Sequence, residues 1–338
     1  MGHSQQPREA GSGASFHFAT LTPDLILDAL ASCGFYLESG LTPLGSYENR
    51  VYQFVAEDRQ RYVVKFYRPQ RWSAAQIQQE HDLALFLAGQ EVSVAAPLHI
   101  AGRTLQEFQG FYFTLWPSLG GRHLEPDNLY QLEAVGHQLG LWHSVAHQFS
   151  LVQRPAIGAE WSLLQPIARL SQAAPWPASL SAEFGELFSC LKQALLPVLA
   201  QPFELLPLHG DCHIGNILWR DKPLLVDLDD CLRGPAIQDL WLLLSGEEAE
   251  QRLQLDALLA GYEEFSHFDM SQLKLIEPLR TLRMLNHIDW LTRRWADPAF
   301  PAAFPWFGTD DYWLEQAKNL RQQLERLKQP PLALTPAY

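Results

Sequence analysis

The run from Leu208 to Asp227 constrains this chain more than any other. It reads Leu208-His209-Gly210-Asp211-Cys212-His213-Ile214-Gly215-Asn216-Ile217-Leu218-Trp219, then Arg220-Asp221-Lys222-Pro223, then Leu224-Leu225-Val226-Asp227. Apolar triplets on either side of a polar turn predict a β-hairpin. Pairing 217–219 with 224–226 across a four-residue turn sets Asn216 directly opposite Asp227. One hairpin would then deliver an amide oxygen and a carboxylate to one point, with Asp211 five residues before the amide.

Two hard oxygen donors suit Mg²⁺, which keeps several waters and takes its remaining ligands from nucleotide phosphates. The plainer alternative makes Asp211 a turn cap and Asn216 and Asp227 ordinary solvated residues. A zinc site built on His209, Cys212 and His213 needs a fourth ligand, and Cys231 is the only nearby thiol. His209 alone reads as a structural histidine of the loop rather than a base. Lys65 puts an ammonium in the middle of the apolar strand Val63-Val64-Lys65-Phe66-Tyr67, which is costly without an anionic partner. Nucleotide phosphates and Glu80, on a helix face between Ile77 and Ala84, would supply one. The alternative is a snorkelling edge-strand lysine beside a solvated glutamate.

The surrounding pattern is α+β. Residues 1–15, rich in Gly, Ser and Gln, predict a flexible tail, followed by a strand-rich lobe over 16–116 and a larger, mainly helical lobe over 117–338. Thr22 and Pro23 start a helix that Gly34 stops, and Ser73 with Gln76 forms a capping box for a second. Hairpins are expected at 51–67 and 104–115, and helices around 181–200, 235–245, 247–265, 271–296 and 310–328. The chain has 25 Lys and Arg against 38 Asp and Glu, so a nucleic-acid-binding face is not expected. Residues 117–338 hold 17 basic and 27 acidic side chains, which favours a cationic over an anionic substrate there. No stretch approaches 18 uninterrupted apolar residues, and four scattered cysteines suit a reduced compartment, so a cytoplasmic protein without a membrane span is expected. The absence of a heptad pattern predicts a monomer.

The segment Leu208–Asp230 resembles the catalytic segment of aminoglycoside phosphotransferases and related kinase-like enzymes, with His-Gly-Asp where protein kinases have His-Arg-Asp. Ser46-Tyr47-Glu48-Asn49-Arg50-Val51-Tyr52-Gln53-Phe54, the strand from Val63 to Pro69 and the stretch Arg294–Pro301 resemble bacterial stress-response kinases of that superfamily. The resemblance implies a bilobal protein-kinase-like fold, with a small antiparallel-sheet lobe and a larger helical one. It makes Asp211 the catalytic carboxylate, Asn216 and Asp227 the Mg²⁺ ligands, Ser46 a phosphate-side contact of ATP, and Lys65 with Glu80 the nucleotide-positioning ion pair. Gly45-Ser46-Tyr47-Glu48-Asn49 departs from the glycine-rich pattern, holding a single glycine. Trp116-Pro117-Ser118 matches the hinge that would take the adenine edge, and Asp239 matches a helix-start aspartate that steadies the catalytic loop from beneath. The implied activity is ATP-dependent phosphorylation of protein Ser/Thr hydroxyls, autophosphorylation included, in stress survival. A small hydroxylated acceptor such as choline, homoserine or an aminoglycoside is the alternative, and a nucleotide-binding scaffold without activity is the rival class. Only eleven residues separate Asp227 from Asp239, too few for a long phosphorylatable activation segment.

Overall fold

Thr22 starts the first helix through its hydroxyl, which accepts the Leu25 N–H at 3.2 Å, while Pro23 occupies the first turn and Gly34, at φ 82°, takes the left-handed position beyond the end. The computed structural model describes residues 18–334, so the expected tail over 1–15 lies outside the described residues. They form two compact units, one of residues 18–77 and 97–118, the other of 78–96 and 119 onward.

In the first unit, α1 (Pro23–Ser32) shares a core with a five-stranded antiparallel sheet. Its strands β1 (Thr42–Pro43), β2 (Arg50–Val55), β3 (Arg61–Phe66), β4 (Gln106–Phe108) and β5 (Phe111–Pro117) run in the order β1-β2-β3-β5-β4. The β4–β5 turn uses Gln109 and Gly110 at φ 47° and 85°, the primed geometry that matches strand twist. Strand alternation sends Val64, Phe66, Phe113 and Leu115 into the core with Ile26 and Leu30. The Phe66 and Phe113 rings stack at 5.1 Å. Lys65 therefore points to the opposite face, paired across the sheet with Thr114.

The second unit takes most of α2 (Ala74–Gly89), whose start carries the expected reciprocal cap: Gln76 N–H donates to Ser73 Oγ (3.3 Å) and Ser73 N–H to Gln76 Oε1 (3.0 Å). Then come β6 (Arg122–His123), α3 (Leu129–Ala146), α4 (Gln165–Ala173), α5 (Ser181–Leu199), β7 (Leu206–Leu208), β8 (Ile217–Trp219), β9 (Pro223–Leu225), β10 (Leu232–Gly234), α6 (Ile237–Trp241), α7 (Glu248–Tyr262), α8 (Ile276–Arg294), α9 (Ala299–Ala303) and α10 (Asp310–Arg326). The helices expected from periodicity are present as α5, α6, α7, α8 and α10. The antiparallel-sheet unit and the helical unit realise the expected kinase-like α+β architecture.

One expectation is corrected. Strands β8 and β9 pair Ile217 with Leu225, Leu218 with Leu224 and Trp219 with Pro223, so the turn has three residues and the register lies one position from the expected one. Burial decides this, because the observed pairing puts Ile217, Trp219, Pro223 and Leu225 on one buried face. Pro223 is tolerated as the first residue of its strand. Residues 93–95 line the other edge of β9: Leu225 N–H donates to Ser93 O and Ala95 N–H to Leu225 O, both at 2.9 Å.

Helices α3 and α7 approach through glycine. A methyl group at Gly136 would collide with the Leu258 carbonyl, and one at Gly140 with the Tyr262 carbonyl. Gly140→Ala should therefore destabilise the protein by about 1–3 kcal/mol in a denaturant titration. Gly185→Ala, in α5 with open space around it, should be neutral or stabilising by up to about 1 kcal/mol; equal losses at both positions would contradict the packing.

Candidate active site

The loop after β7 is gripped by its own backbone. Asp239, buried in α6, accepts the His209 N–H on Oδ2 (2.8 Å) and the Gly210 N–H on Oδ1 (2.9 Å). His143 Nε2 lies 3.4 Å from Asp239 Oδ2, and its Nδ1 is 2.9 Å from the Tyr262 hydroxyl. Burial pushes that hydroxyl up to about 12, so it stays protonated. Gln238 Nε2 donates to Gly210 O at 2.8 Å. Gly210 sits at φ 83°, and a Cβ there would strike the Asp230 carbonyl, so both its conformation and its surroundings require glycine. His209 Nε2 donates to the Val226 carbonyl at 2.9 Å and ties the loop to the residue before Asp227. This is a structural histidine.

Asp211 projects from the gripped loop. Arg283 Nη1, on α8, donates to its Oδ1 at 2.5 Å, and His213 Nε2 lies 3.4 Å from its Oδ2. Gly215 N–H donates to His213 Nδ1 (2.9 Å), which leaves the proton of a neutral imidazole on Nε2, facing Asp211. Burial opposes ionisation of Asp211, but the His213 hydrogen bond and the Arg283 guanidinium together hold it well below the usual carboxylate range. Asp211 is thus a hydrogen-bond acceptor and a weak base.

Asn216 donates Nδ2 to the Asp211 carbonyl at 3.0 Å, which orients its amide so that Oδ1 is not the atom used there. The expected cross-strand partner of Asn216 is displaced by the register: Val226, not Asp227, meets it, through Val226 N–H donating to Asn216 O at 3.0 Å. Asp227 follows immediately at φ 62°, ψ 68°, a left-handed turn that breaks strand alternation. The expected cross-strand meeting of Asn216 with Asp227 is therefore not the observed pairing.

An amide oxygen and a carboxylate are hard donors of the kind that Mg²⁺ takes together with phosphates and water; among the described residues no three His, Cys, Asp or Glu side chains group to hold a metal ion. The grouping that the zinc alternative needs is not found among the described residues, and Cys212 and Cys231 are buried core side chains.

The remaining candidates lie elsewhere. In the first unit, Ser46 Oγ accepts the Asn49 N–H (3.2 Å), and the loop is stapled down by Arg68, whose N–H donates to Asn49 Oδ1 (3.0 Å) and whose Nε donates to Glu48 O (3.0 Å). Lys65 is buried with Nζ 4.8 Å from the Tyr67 ring centroid and 5.7 Å from that of Trp116. Glu80, in the second unit, is buried as well. On α8, Trp290 packs against Phe300 and Phe304, and Arg294 lies over the Trp290 ring. The residue of that helix that reaches the site is Arg283, which the sequence does not single out; its only signal is the basic pair Arg280 and Arg283 on a predicted helix.

Residues 40–276 match the phosphotransferase enzyme family. The chain is 52% identical over 327 residues to stress response kinase A of Escherichia coli (strain K12), covering 97% of this chain and 100% of that protein. It is 51% identical to the serine/threonine protein kinase RdoA of Salmonella typhimurium (strain LT2), over 96% of this chain and 99% of that protein. Among solved structures it is similar to amicoumacin kinase hAmiN in complex with AMP-PNP, Ca²⁺ and Ami, with a TM-score of 0.71 at 19% identity, covering 92% of this chain and 94% of that one.

Two outcomes follow from the anchoring. Asp239→Ala strips the acceptor from two buried N–H donors, at about 1–3 kcal/mol each, and should lower the melting temperature and loosen amide protection at Gly210; unchanged exchange there would refute the anchor. The lowered Asp211 value stabilises the fold above its ordinary 3.8, and that contribution fades as pH falls below it. Arg283→Ala should accordingly lose up to about 1 kcal/mol at pH 7 in urea, a loss that shrinks below pH 3.8.

Proposed function

This chain belongs to the phosphotransferase enzyme family, and we propose that it uses ATP and Mg²⁺ to phosphorylate serine or threonine hydroxyls of a protein acceptor, itself included. The observation that carries the reading is the anchored loop, which presents an ionised Asp211 five residues from Asn216 and tied through His209 to the Val226–Asp227 turn. The protein acceptor is supported by the relative named a serine/threonine protein kinase at 51% identity. The likeness to amicoumacin kinase, at 19% identity, is one of fold alone and does not carry its small acceptor over.

Each residue then has a role derived from its chemistry. Asp211, ionised and acceptor-only, takes a hydrogen bond from the acceptor hydroxyl and aims its oxygen at the γ-phosphorus. Its lowered proton affinity suits it to orient the hydroxyl and accept the proton late, as a loose phosphoryl transition state requires. Asn216 and Asp227 would hold Mg²⁺, which when bound supplies charge neutralisation at the β- and γ-phosphates. In the sheet unit, Lys65 would grip the upstream phosphates and Ser46 would contact them from its loop; Glu80, in the helical unit, would keep the nucleotide-positioning role that the resemblance implies. Arg283 keeps Asp211 charged while no acceptor is present. A cytoplasmic setting and a part in stress survival belong to the same proposal, and no helix among the described residues is long and apolar enough to cross a membrane.

Asp211→Ala should reduce γ-phosphate transfer by about 10²–10⁴-fold while nucleotide affinity stays within a few-fold, measured by radiolabelled transfer and a nucleotide-binding titration. Asn216→Ala should instead raise the Mg²⁺ concentration needed for half-maximal activity. Full turnover by the Asp211 variant would remove the role assigned to it.

A further inference from the structure

Two cavities of the helical unit, of about 430 and 510 Å³, share Gln316 and Asn319 of α10 as lining residues and so adjoin each other along that helix. The two differ in charge. One is lined by Arg280, Arg283 and His287 of α8 together with Trp241, with no carboxylate among its lining residues. The other is lined by Asp311, Glu315 and Tyr312 of α10, with no cationic side chain.

The basic end is the one beside the chemistry, because Arg283 also donates to Asp211. Arg280 is held in place there, its guanidinium 4.9 Å from the Trp241 ring centroid and its Nε 3.2 Å from Glu277 Oε1. The acidic end holds two exposed carboxylates and the Tyr312 hydroxyl, which is buried without a hydrogen-bond partner among the described residues. Between the ends, the amides of Gln316 and Asn319 offer donors and acceptors together, the complement of an extended peptide backbone.

This pair of cavities deepens the protein-kinase reading above and rests on it. We propose that it docks the acceptor polypeptide, selecting a serine or threonine with an acidic neighbour for Arg280 and Arg283 and a basic residue further along for Asp311 and Glu315. The excess of acidic side chains over residues 117–338 would by itself call for a uniformly cationic substrate. Beside Asp211 the sign is reversed. Arg283, nearly half exposed, is free to exchange Asp211 for the carboxylate of the incoming segment, so that the acceptor's own charge releases Asp211 to receive its hydroxyl. A small neutral acceptor would leave that ion pair intact.

Three serine peptides of equal length test the groove with the full chain, ATP and Mg²⁺: one with the acidic and basic residues in the proposed order, one with the two charges exchanged, and one neutral. The ordered peptide should show a KM about tenfold below that of the exchanged one at similar kcat, the size of two or three exposed charge pairs acting together. Arg280→Glu combined with Glu315→Lys should invert the preference, and Glu315→Lys alone, at an exposed position, should abolish selection for the distal basic residue without disturbing the melting temperature. Equal use of the three peptides, or an unchanged preference in the double variant, overturns the groove. Autophosphorylation and labelling of mixed cell proteins, measured in parallel, separate the two levels: peptide indifference with protein labelling retained sinks the groove alone, whereas label found only in small metabolites sinks the kinase reading beneath it.

Discussion

Two hydrogen bonds to the Asp239 carboxylate hold the site together. The acceptors are buried, and so are the two backbone donors they satisfy, which makes the pairing expensive to lose and the loop position correspondingly well defined. From there constraint passes outward. His209, fixed by its N–H, reaches the Val226 carbonyl with its ring; Val226 bonds Asn216; Asn216 bonds the Asp211 carbonyl. Asn216 and Asp211 are thus linked to the same buried anion by an unbroken chain of hydrogen bonds, and the anion's neighbours His143 and Tyr262 belong to α3 and α7, the pair whose glycines allow their close approach.

Local charge in this unit does not follow total charge. The chain carries 13 more acidic than basic side chains, yet Asp211 is met by a guanidinium and an imidazole, and the cavity beside it is lined by arginines. At a few ångströms, contact geometry outweighs the distant surplus, because charges separated by more than about 8–10 Å are largely screened at ordinary salt. Composition therefore bears on solubility and on the exclusion of nucleic acid, and says little about what an acceptor meets at the reacting carboxylate.

Much of the fold was legible because the signals are short-range. Thr22 and Ser73 cap helices through groups within three residues of themselves, and the Gln109-Gly110 turn needs only its own two dihedrals. The β8–β9 hairpin was visible as a hairpin, but its register was not: four polar letters suggest a four-residue turn, whereas burial of Pro223 beside Trp219 makes it three. The shift moved Asp227 off the strand position opposite Asn216, and its backbone turns left-handed there. Helix α4 went unforeseen because it follows a π-turn at Glu160–Leu164 with no capping side chain to mark its start.

What the sequence determined by itself is the identity and spacing of the chemical groups: an Asp-x₄-Asn interval, a lysine inside an apolar strand, an aspartate at the start of α6, and the family to which those intervals belong. These are properties of neighbours along a chain. What only the tertiary structure decided is which distant groups meet them. Arg283 lies 72 residues from Asp211, and Gln316 and Asn319 stand on a helix still further along. Such meetings are set by how α8 and α10 pack in the helical unit, where close packing of apolar side chains fixes helix positions that no local pattern encodes.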